Sequence, residues 1–421
     1  MNVRESAPRR SALLEDPTNP ESARLRSTTF ETVREIVSAL GAEDPASQPR
    51  ADLAGGSAGL ALLFCYGAQT WDDGRLADLA VRHLDRALET LATTAMTTSL
   101  YAGSPGVAFV LEHLTDRIIA REAPDPLHAI DEFLLAQLDG GAWTADYDLV
   151  SGLVGIGTYA LERPRDTLST RVAERILDHL EAMAERDEHG ARWHTSRELL
   201  PPHEQAAHPS GWHNLGLAHG VPGVIALLAR FQEQGIGASR ARTLLEEAIA
   251  WLGAQRTPCE TGFGAIAGDS KRTREAWCYG SPGIACALLA AARSTGDPEH
   301  EALGEAVATL ARLRPRAESG VVDAGLCHGS AGLLHLHTRM HRHTGSSAHR
   351  EAALHWLEWT LASRCPGEGI AGFRMLLFDG ESEHVWRSDP GFLTGVAGVG
   401  LALLAAAGGI EPEWERALLV S

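Results

Sequence analysis

The stretch Trp277-Cys278-Tyr279-Gly280-Ser281-Pro282-Gly283 returns in altered form as Leu326-Cys327-His328-Gly329-Ser330-Ala331-Gly332. In both, a thiol stands two residues ahead of a Gly-x-x-Gly that opens an apolar run. Working outward, the first glycine of such an element falls at Gly56, Gly103, Gly152, Gly220, Gly280, Gly329 and Gly395, with spacings of 47, 49, 68, 60, 49 and 66 residues. One such element means little, because glycine is common. The seven gain weight from their context: each leads into small apolar residues such as Val107 to Leu111 or Ile284 to Ala292, and self-similarity at this period marks a repeat architecture.

Between these runs lie segments with helical periodicity and one polar face: about Thr29 to Leu40, Leu76 to Leu91, Leu127 to Leu138, Leu168 to Ala184, Ala241 to Leu252, His300 to Leu313 and Arg350 to Ala362. Leu76, Leu79, Ala80, His83, Leu84 and Ala87 carry the i, i+3, i+4 recurrence of an amphipathic helix. A helix apolar on most sides must be surrounded, whereas an amphipathic one can face water. Seven hairpins closed in a ring satisfy both demands, with Gly-led apolar helices inside and amphipathic ones outside. An open superhelix of helix pairs is the rival, but solenoids keep more regular periods and carry polar caps. The expected fold is therefore all-α, an α/α toroid of seven helical hairpins.

Two long spacings leave room for excursions. One is 186–214, with turn-rich Pro201-Pro202 and the short Arg192-Trp193-His194. The other is 369–390, where Phe373 to Phe378 and His384 to Arg387 flank Asp379-Gly380 like a β-hairpin. Gly41 to Gln48 reads as the first loop. No linker divides residues 1–421, so a single domain is expected.

The totals fit a well-cored soluble protein: 421 residues, 44% of them hydrophobic, with a net charge of −18. That acidity argues against nucleic acid or an anionic membrane as the main partner. Six cysteines, at 65, 259, 278, 286, 327 and 365, are too sparse for a disulfide scaffold. Met1 to Arg26 lacks the apolar segment of a signal peptide. Pro390 to Ile410 is uncharged and long enough to span a membrane, but its glycines and its place in the repeat make it a buried helix. The expected location is the cytoplasm, with no transmembrane segment.

In a closed ring all seven Gly-x-x-Gly elements lie at one end, and the residues just before them line one depression. Polar chemistry gathers in repeats four, five and six: Ala218-His219, Cys278-Tyr279 and Cys327-His328. Two thiolates and an imidazole suit zinc, with a fourth position left for water or substrate. Helix N-termini also favour the thiolate over the thiol. His335, His337, His341 and His343 have metal-like spacing, but they lie beyond the repeat's centre on one ordinary helix. Trp277 and Cys286 read as packing residues.

The triplets Trp277-Cys278-Tyr279-Gly280 and Cys327-His328-Gly329, with Ala218-His219-Gly220 upstream, resemble the lanthionine synthetase C family of lanthipeptide cyclases. The likeness covers nearly the whole chain in repeat number, length and motif order. It implies an α/α toroid that binds one Zn2+ through Cys278, Cys327 and His328. It also implies a reaction joining a cysteine thiol of a dehydrated precursor peptide, made of a leader and a Ser/Thr/Cys-rich core, to a dehydroalanine or dehydrobutyrine. By the same resemblance His219 is the acid/base histidine and Asp148 the aspartate of the site, while Arg274 and Tyr279 are the arginine and tyrosine near the metal. The excursion at 186–214 would help to hold the leader. With no dehydratase-like segment ahead of the repeats, a partner dehydratase is expected, together with an export component.

The chemistry can be argued independently. Conjugate addition needs a thiolate, yet a free cysteine with a pKa of about 8.5 is only a few per cent ionised at neutral pH; recovering the rest is worth roughly 2 kcal/mol. Coordination to zinc deprotonates a bound thiol outright. Two anionic ligands then keep the incoming sulfur on an anionic centre, where it stays reactive. Addition produces an enolate, which needs donors at its oxygen and a proton at its α-carbon. Arg274 or Tyr279 suits the first task and His219 the second, with Asp148 orienting His219 or raising its pKa. The alternatives are a relative that adds glutathione to dehydrated proteins and a peptide-binding scaffold with a structural zinc. An α/α toroid glycosidase needs two opposed carboxylates, and these loop positions carry Cys and His instead.

Overall fold

The computed structural model describes residues 13–14, 19–256, 262–378 and 383–421. Cys259, the Asp379-Gly380 turn and much of Met1 to Arg26 lie outside the described residues. Helix α1 (Pro20–Gly41) leads to α2 (Ser57–Trp71), α3 (Gly74–Thr93) to α4 (Ser104–Leu114), and α5 (His128–Asp139) to α6 (Leu153–Glu162). After α7 (Thr167–Met183) the chain makes strands β1 (Glu185–Asp187) and β2 (Gly190–Arg192) and the short α8 (Pro202–Gln205) before α9 (Val221–Glu233). Next come α10 (Ala238–Ala254) with α11 (Ser281–Thr295), then α12 (Pro298–Leu313) with α13 (Ser330–Thr344). Finally α14 (Ser347–Ala362), strands β3 (Met375–Phe378) and β4 (His384–Arg387), and α15 (Val396–Ala407) complete the repeats.

The Gly-led helices form a closed ring: α2, α4, α6, α9, α11, α13 and α15 touch in that order, and α15 returns to α2. The periodic segments are the outer helices, and the fold is an α/α toroid. Every residue of α15 is buried, whereas α3 buries only Leu76, Ala80, His83, Leu84 and Ala87, one stripe of a two-faced helix. Pro390 to Ile410 is thus an inner-wall segment, and no helix among the described residues is long and apolar enough to cross a membrane. The first outer helix begins at Pro20 rather than near Thr29, because Asn19 caps it through Glu21 N–H at 3.0 Å and Ser22 N–H at 3.4 Å.

Backbone hydrogen bonds join the seven loops at the N-terminal ends of the inner helices. Leu393 N–H donates to Ala54 O, Ala54 N–H to Tyr101 O, Leu149 N–H to Ala218 O and Ala218 N–H to Cys278 O. Trp277 N–H and Cys278 N–H then donate to Cys327 O, and Cys327 N–H to Leu393 O. The junction between repeats two and three is made by the Ser99 hydroxyl on Val150 O, at 2.6 Å. The second glycine of the pair permits this closeness at Gly59, Gly106, Gly155, Gly283 and Gly398, where an added β-carbon would stand within 3.2 Å of a neighbouring loop's side chain. A β-carbon on Gly106 would meet the Leu100 carbonyl oxygen and stand 3.0 Å from the Leu53 β-carbon of the preceding loop.

The middle of the ring is filled by residues 413–420, of which Trp414, Ala417, Leu418, Leu419 and Val420 are buried. Tyr101 Oη donates to Ala417 O at 2.7 Å, and Trp277 Nε1 donates to Leu418 O at 2.9 Å. The β1–β2 and β3–β4 pairs are small antiparallel ribbons. Leu376 N–H of β3 donates to Asp323 Oδ2 at 3.0 Å, which ties that ribbon to the sixth loop.

Gly106→Ala is expected to destabilise the fold by about 1–3 kcal/mol, as overpacking of a filled site does. A denaturation midpoint equal to that of the unmodified protein would contradict the close-approach account.

Candidate metal centre and acid/base pair

Cys278 and Tyr279 end the fifth loop, and Cys327 and His328 end the sixth. The two loops are clamped by Trp277 N–H and Cys278 N–H on Cys327 O, at 3.0 and 3.4 Å. This clamp converges the side chains: one ligand atom each from Cys278, Cys327 and His328 lies within 4.8 Å of the other two. Ligands of a tetrahedral zinc with bonds near 2.0–2.3 Å stand about 3.5–3.8 Å apart, so the cluster can close on an ion with small rotamer changes. The donor set also fits: two sulfurs and one imidazole nitrogen, with Cys327 buried and the other two half-buried. The Cys278 and Cys327 side chains also hydrogen-bond each other. The Cys327 hydrogen bond holds the Cys278 pKa well down against burial, aided by His328 and His219. The same bond, with burial, holds Cys327 well up.

Beside the cluster, His219 Nδ1 meets Asp148 Oδ2 at 2.6 Å. Asp148 is buried, while the imidazole keeps 41% of its surface exposed. Burial disfavours the imidazolium, but the Asp148 hydrogen bond and charge, followed by Cys278 and Asp146, outweigh it and raise the His219 pKa. Tyr279 lies with its ring 6.2 Å from that of His219. Burial pushes its phenol up to about 12, against the hydrogen bond from Asn214 Nδ2 at 3.0 Å. Gly280 follows at φ +88°, a backbone that other residues rarely adopt, and so turns the chain from Tyr279 into α11. Arg274 is exposed and has no ion-pair partner among the described residues, but its charge reaches Cys327.

The structure thus brings Asp148, His219, Tyr279 and the three donors together, with Arg274 exposed and near enough for its charge to act on Cys327. Trp277 is buried, with its ring edge-on to Tyr101 at 5.8 Å. The histidines of α13 go elsewhere: His335 Nε2 meets Glu415 Oε2 at 2.7 Å, and His337 Nδ1 meets His349 Nδ1 at 3.3 Å.

Sequence reasoning passed over Asp146, Asn214 and Asp323, yet aligning the repeats on their first glycine exposes all three. Four residues before that glycine stand Asp52, Ser99 and Asp148, each accepting from the backbone N–H three residues on. Where that position is glycine, the residue two places earlier takes the turn: Asn214, Asp323 and Asp389 accept from Gly216, Gly325 and Gly391 N–H. Asp146 and Arg274 occupy this same earlier position in repeats three and five. Burial, then the charge of Asp148, raises the Asp146 pKa to about 7, against the charge of His219.

Residues 47–419 match the family described as lanthionine synthetase C-like protein. The nisin biosynthesis protein NisC of Lactococcus lactis subsp. lactis is 26% identical over 265 residues, which are 57% of this chain and 62% of that protein. The solved structure of nisin cyclase superposes with a TM-score of 0.75 at 20% identity, covering 93% of this chain and 97% of that one, a likeness of fold.

In metal-free protein, His219 is expected to titrate above 6.5, and Asp148→Asn to move that titration down; NMR of the ring protons reads both. A folded-state pKa above the unfolded one contributes stability that is complete below the unfolded value and lost as pH rises through the folded value. The stability gap between the two proteins should therefore be widest just below about pH 6.5 and narrow as pH rises. A gap that widens upward would contradict the pairing.

Proposed function

Because this chain belongs to the lanthionine synthetase C-like family, we propose that it is a zinc-dependent peptide cyclase. It adds cysteine thiols of a dehydrated precursor peptide to dehydroalanine or dehydrobutyrine, closing thioether rings. The observation that carries the reading is the meeting of Cys278, Cys327 and His328 beside a histidine whose proton is held by a buried carboxylate. Cys278, Cys327 and His328 would hold a zinc ion, which when bound would lower the pKa of a substrate sulfur and so favour its thiolate.

The addition conserves atoms. The thiol gives up its proton, a sulfur–Cβ bond forms, the double bond opens toward the carbonyl, and Cα takes a proton. His219 is the donor to Cα: the Asp148 hydrogen bond and charge raise its pKa and so favour the imidazolium, and Asp148 fixes Nδ1, leaving Nε2 for the transfer. Tyr279, a neutral phenol, and Arg274 are the donors for the developing enolate oxygen. Asp148 also accepts Ser151 N–H at 2.6 Å, so it is both a turn residue and the partner of His219.

The reaction requires dehydrated residues, so a dehydratase acts first. We take the repeats and their two excursions as one unit working in the cytoplasm with that enzyme and an exporter, the 186–214 excursion meeting the leader.

The test is ring closure on a dehydrated, cysteine-containing peptide, read as loss of alkylatable thiol by mass spectrometry. Cys278→Ala is expected to lose both zinc and activity, whereas His219→Ala keeps zinc and loses roughly 10²–10⁴-fold in rate. Full cyclisation by metal-depleted Cys278→Ala would end the reading. Efficient glutathione adducts on a peptide lacking cysteine would move it to the glutathione-adding relative.

A further inference from the structure

A cavity of about 320 Å³ opens beside His219, and its two sides come from different parts of the chain. The toroid side supplies Asp146, Asp148, Ser151, His219 and Tyr279, and Asn214 lines the cavity where the excursion ends. The excursion supplies Leu199, Leu200, Pro201 and Trp212, with Thr195, His203 and Glu204 beside them. Cys278, Cys327 and His328 do not line it. His219 and Tyr279, which stand beside the cysteine cluster, do line it.

We propose that this cavity is a subsite for an apolar side chain next to the dehydro residue, so that the excursion selects which dehydro residues are cyclised. This deepens the cyclase reading and rests on it. The attacking sulfur belongs on the metal side. The residue that receives His219's proton at Cα must lie against the imidazole, and the peptide leaving that Cα runs into the space lined by His219 and the excursion. The apolar part of the lining comes from the excursion, as Leu199, Leu200, Pro201 and Trp212, and Leu199 keeps 38% of its surface exposed. A side chain seated against Leu199, Pro201 and Trp212 gains from removing that surface from water. The size suits one large residue, near the lower limit for ligand pockets.

The wall is also held firmly enough to discriminate. Thr195 and Trp212 exchange two backbone hydrogen bonds, at 2.9 and 3.0 Å. Gln205 Nε2 donates to Leu200 O at 2.9 Å, and His194 Nε2 meets Ser210 O at 2.8 Å. Trp212 stands edge-on to His208 with ring centroids 4.7 Å apart. Asn214, which ends the segment, hydrogen-bonds Tyr279, so the wall is continuous with the proposed enolate donor.

The experiment uses two peptides, each with one cysteine and one dehydroalanine, differing only in whether isoleucine or glycine stands on both sides of the dehydroalanine. The zinc-loaded protein is expected to cyclise the isoleucine peptide with kcat/KM about tenfold higher, the lower end of what an apolar pocket discriminates. In Leu199→Ser and in Trp212→Ala the ratio of the two peptides should fall toward one; zinc content and melting temperature establish that the variants are folded. Equal turnover of both peptides by the unmodified protein, or an unchanged ratio in folded variants, overturns the subsite and leaves the cyclase reading standing. No ring on either peptide fails the cyclase reading itself and takes the subsite with it.

Discussion

The belt of hydrogen bonds that joins the seven inner-helix loops is the constraint on which the rest depends. Each loop hands an N–H or hydroxyl to a carbonyl of a neighbouring loop, and the seventh returns to the first. The order of repeats along the chain therefore becomes the order of side chains around the rim: Asp148 from the third, His219 from the fourth, Cys278 and Tyr279 from the fifth, Cys327 and His328 from the sixth. Residues up to 180 positions apart in sequence become neighbours because their loops are hydrogen-bonded in series. Buried backbone groups must find partners. Here the partners they find also gather the proposed site.

The inner helices all run the same way, which gives the ring two electrically different ends. Their N-terminal ends face the cysteine cluster, where partial positive charge favours thiolate over thiol. On the opposite side the C-terminal ends of α2, α4, α6 and α9 border a cavity of about 870 Å³, with Arg117, Arg163, Arg230 and Arg416 among acidic partners in its lining. Cations at helix C-termini offset the negative ends, which gives that arginine-rich floor a structural reason. Between the two ends, residues 413–420 occupy the core of the ring and receive Tyr101 and Trp277. Trp277 precedes Cys278, so the filling of the ring's centre also anchors the loop that carries the Cys278 thiol.

Asp148 illustrates how a site can be built from a repeat's ordinary parts. Asp52 in the first repeat and Ser99 in the second make the same turn bond; only in the third does the remaining carboxylate oxygen meet a histidine. Asn214 likewise makes the turn of its loop and then reaches Tyr279 with its amide. Such dual use hides functional residues among structural ones. Asp146, raised to about 7 by burial and by Asp148, escapes notice for the same reason, since in sequence it is one more acid in a chain with 55 of them.

The amino-acid sequence by itself determined the repeat count, the split into surrounded and two-faced helices, and the loop ends that carry thiols and imidazoles. These are local properties: periodicity, glycine position and residue type. Tertiary structure alone decided what those loop ends meet. Ring closure, the Asp148–His219 contact at 2.6 Å, the filling of the ring by 413–420 and the cavity against the excursion all depend on distances between segments far apart in the chain. No periodicity encodes such distances. They follow from which backbone groups remain to be satisfied once the helices have formed, and from the volume left when seven of them close on one another.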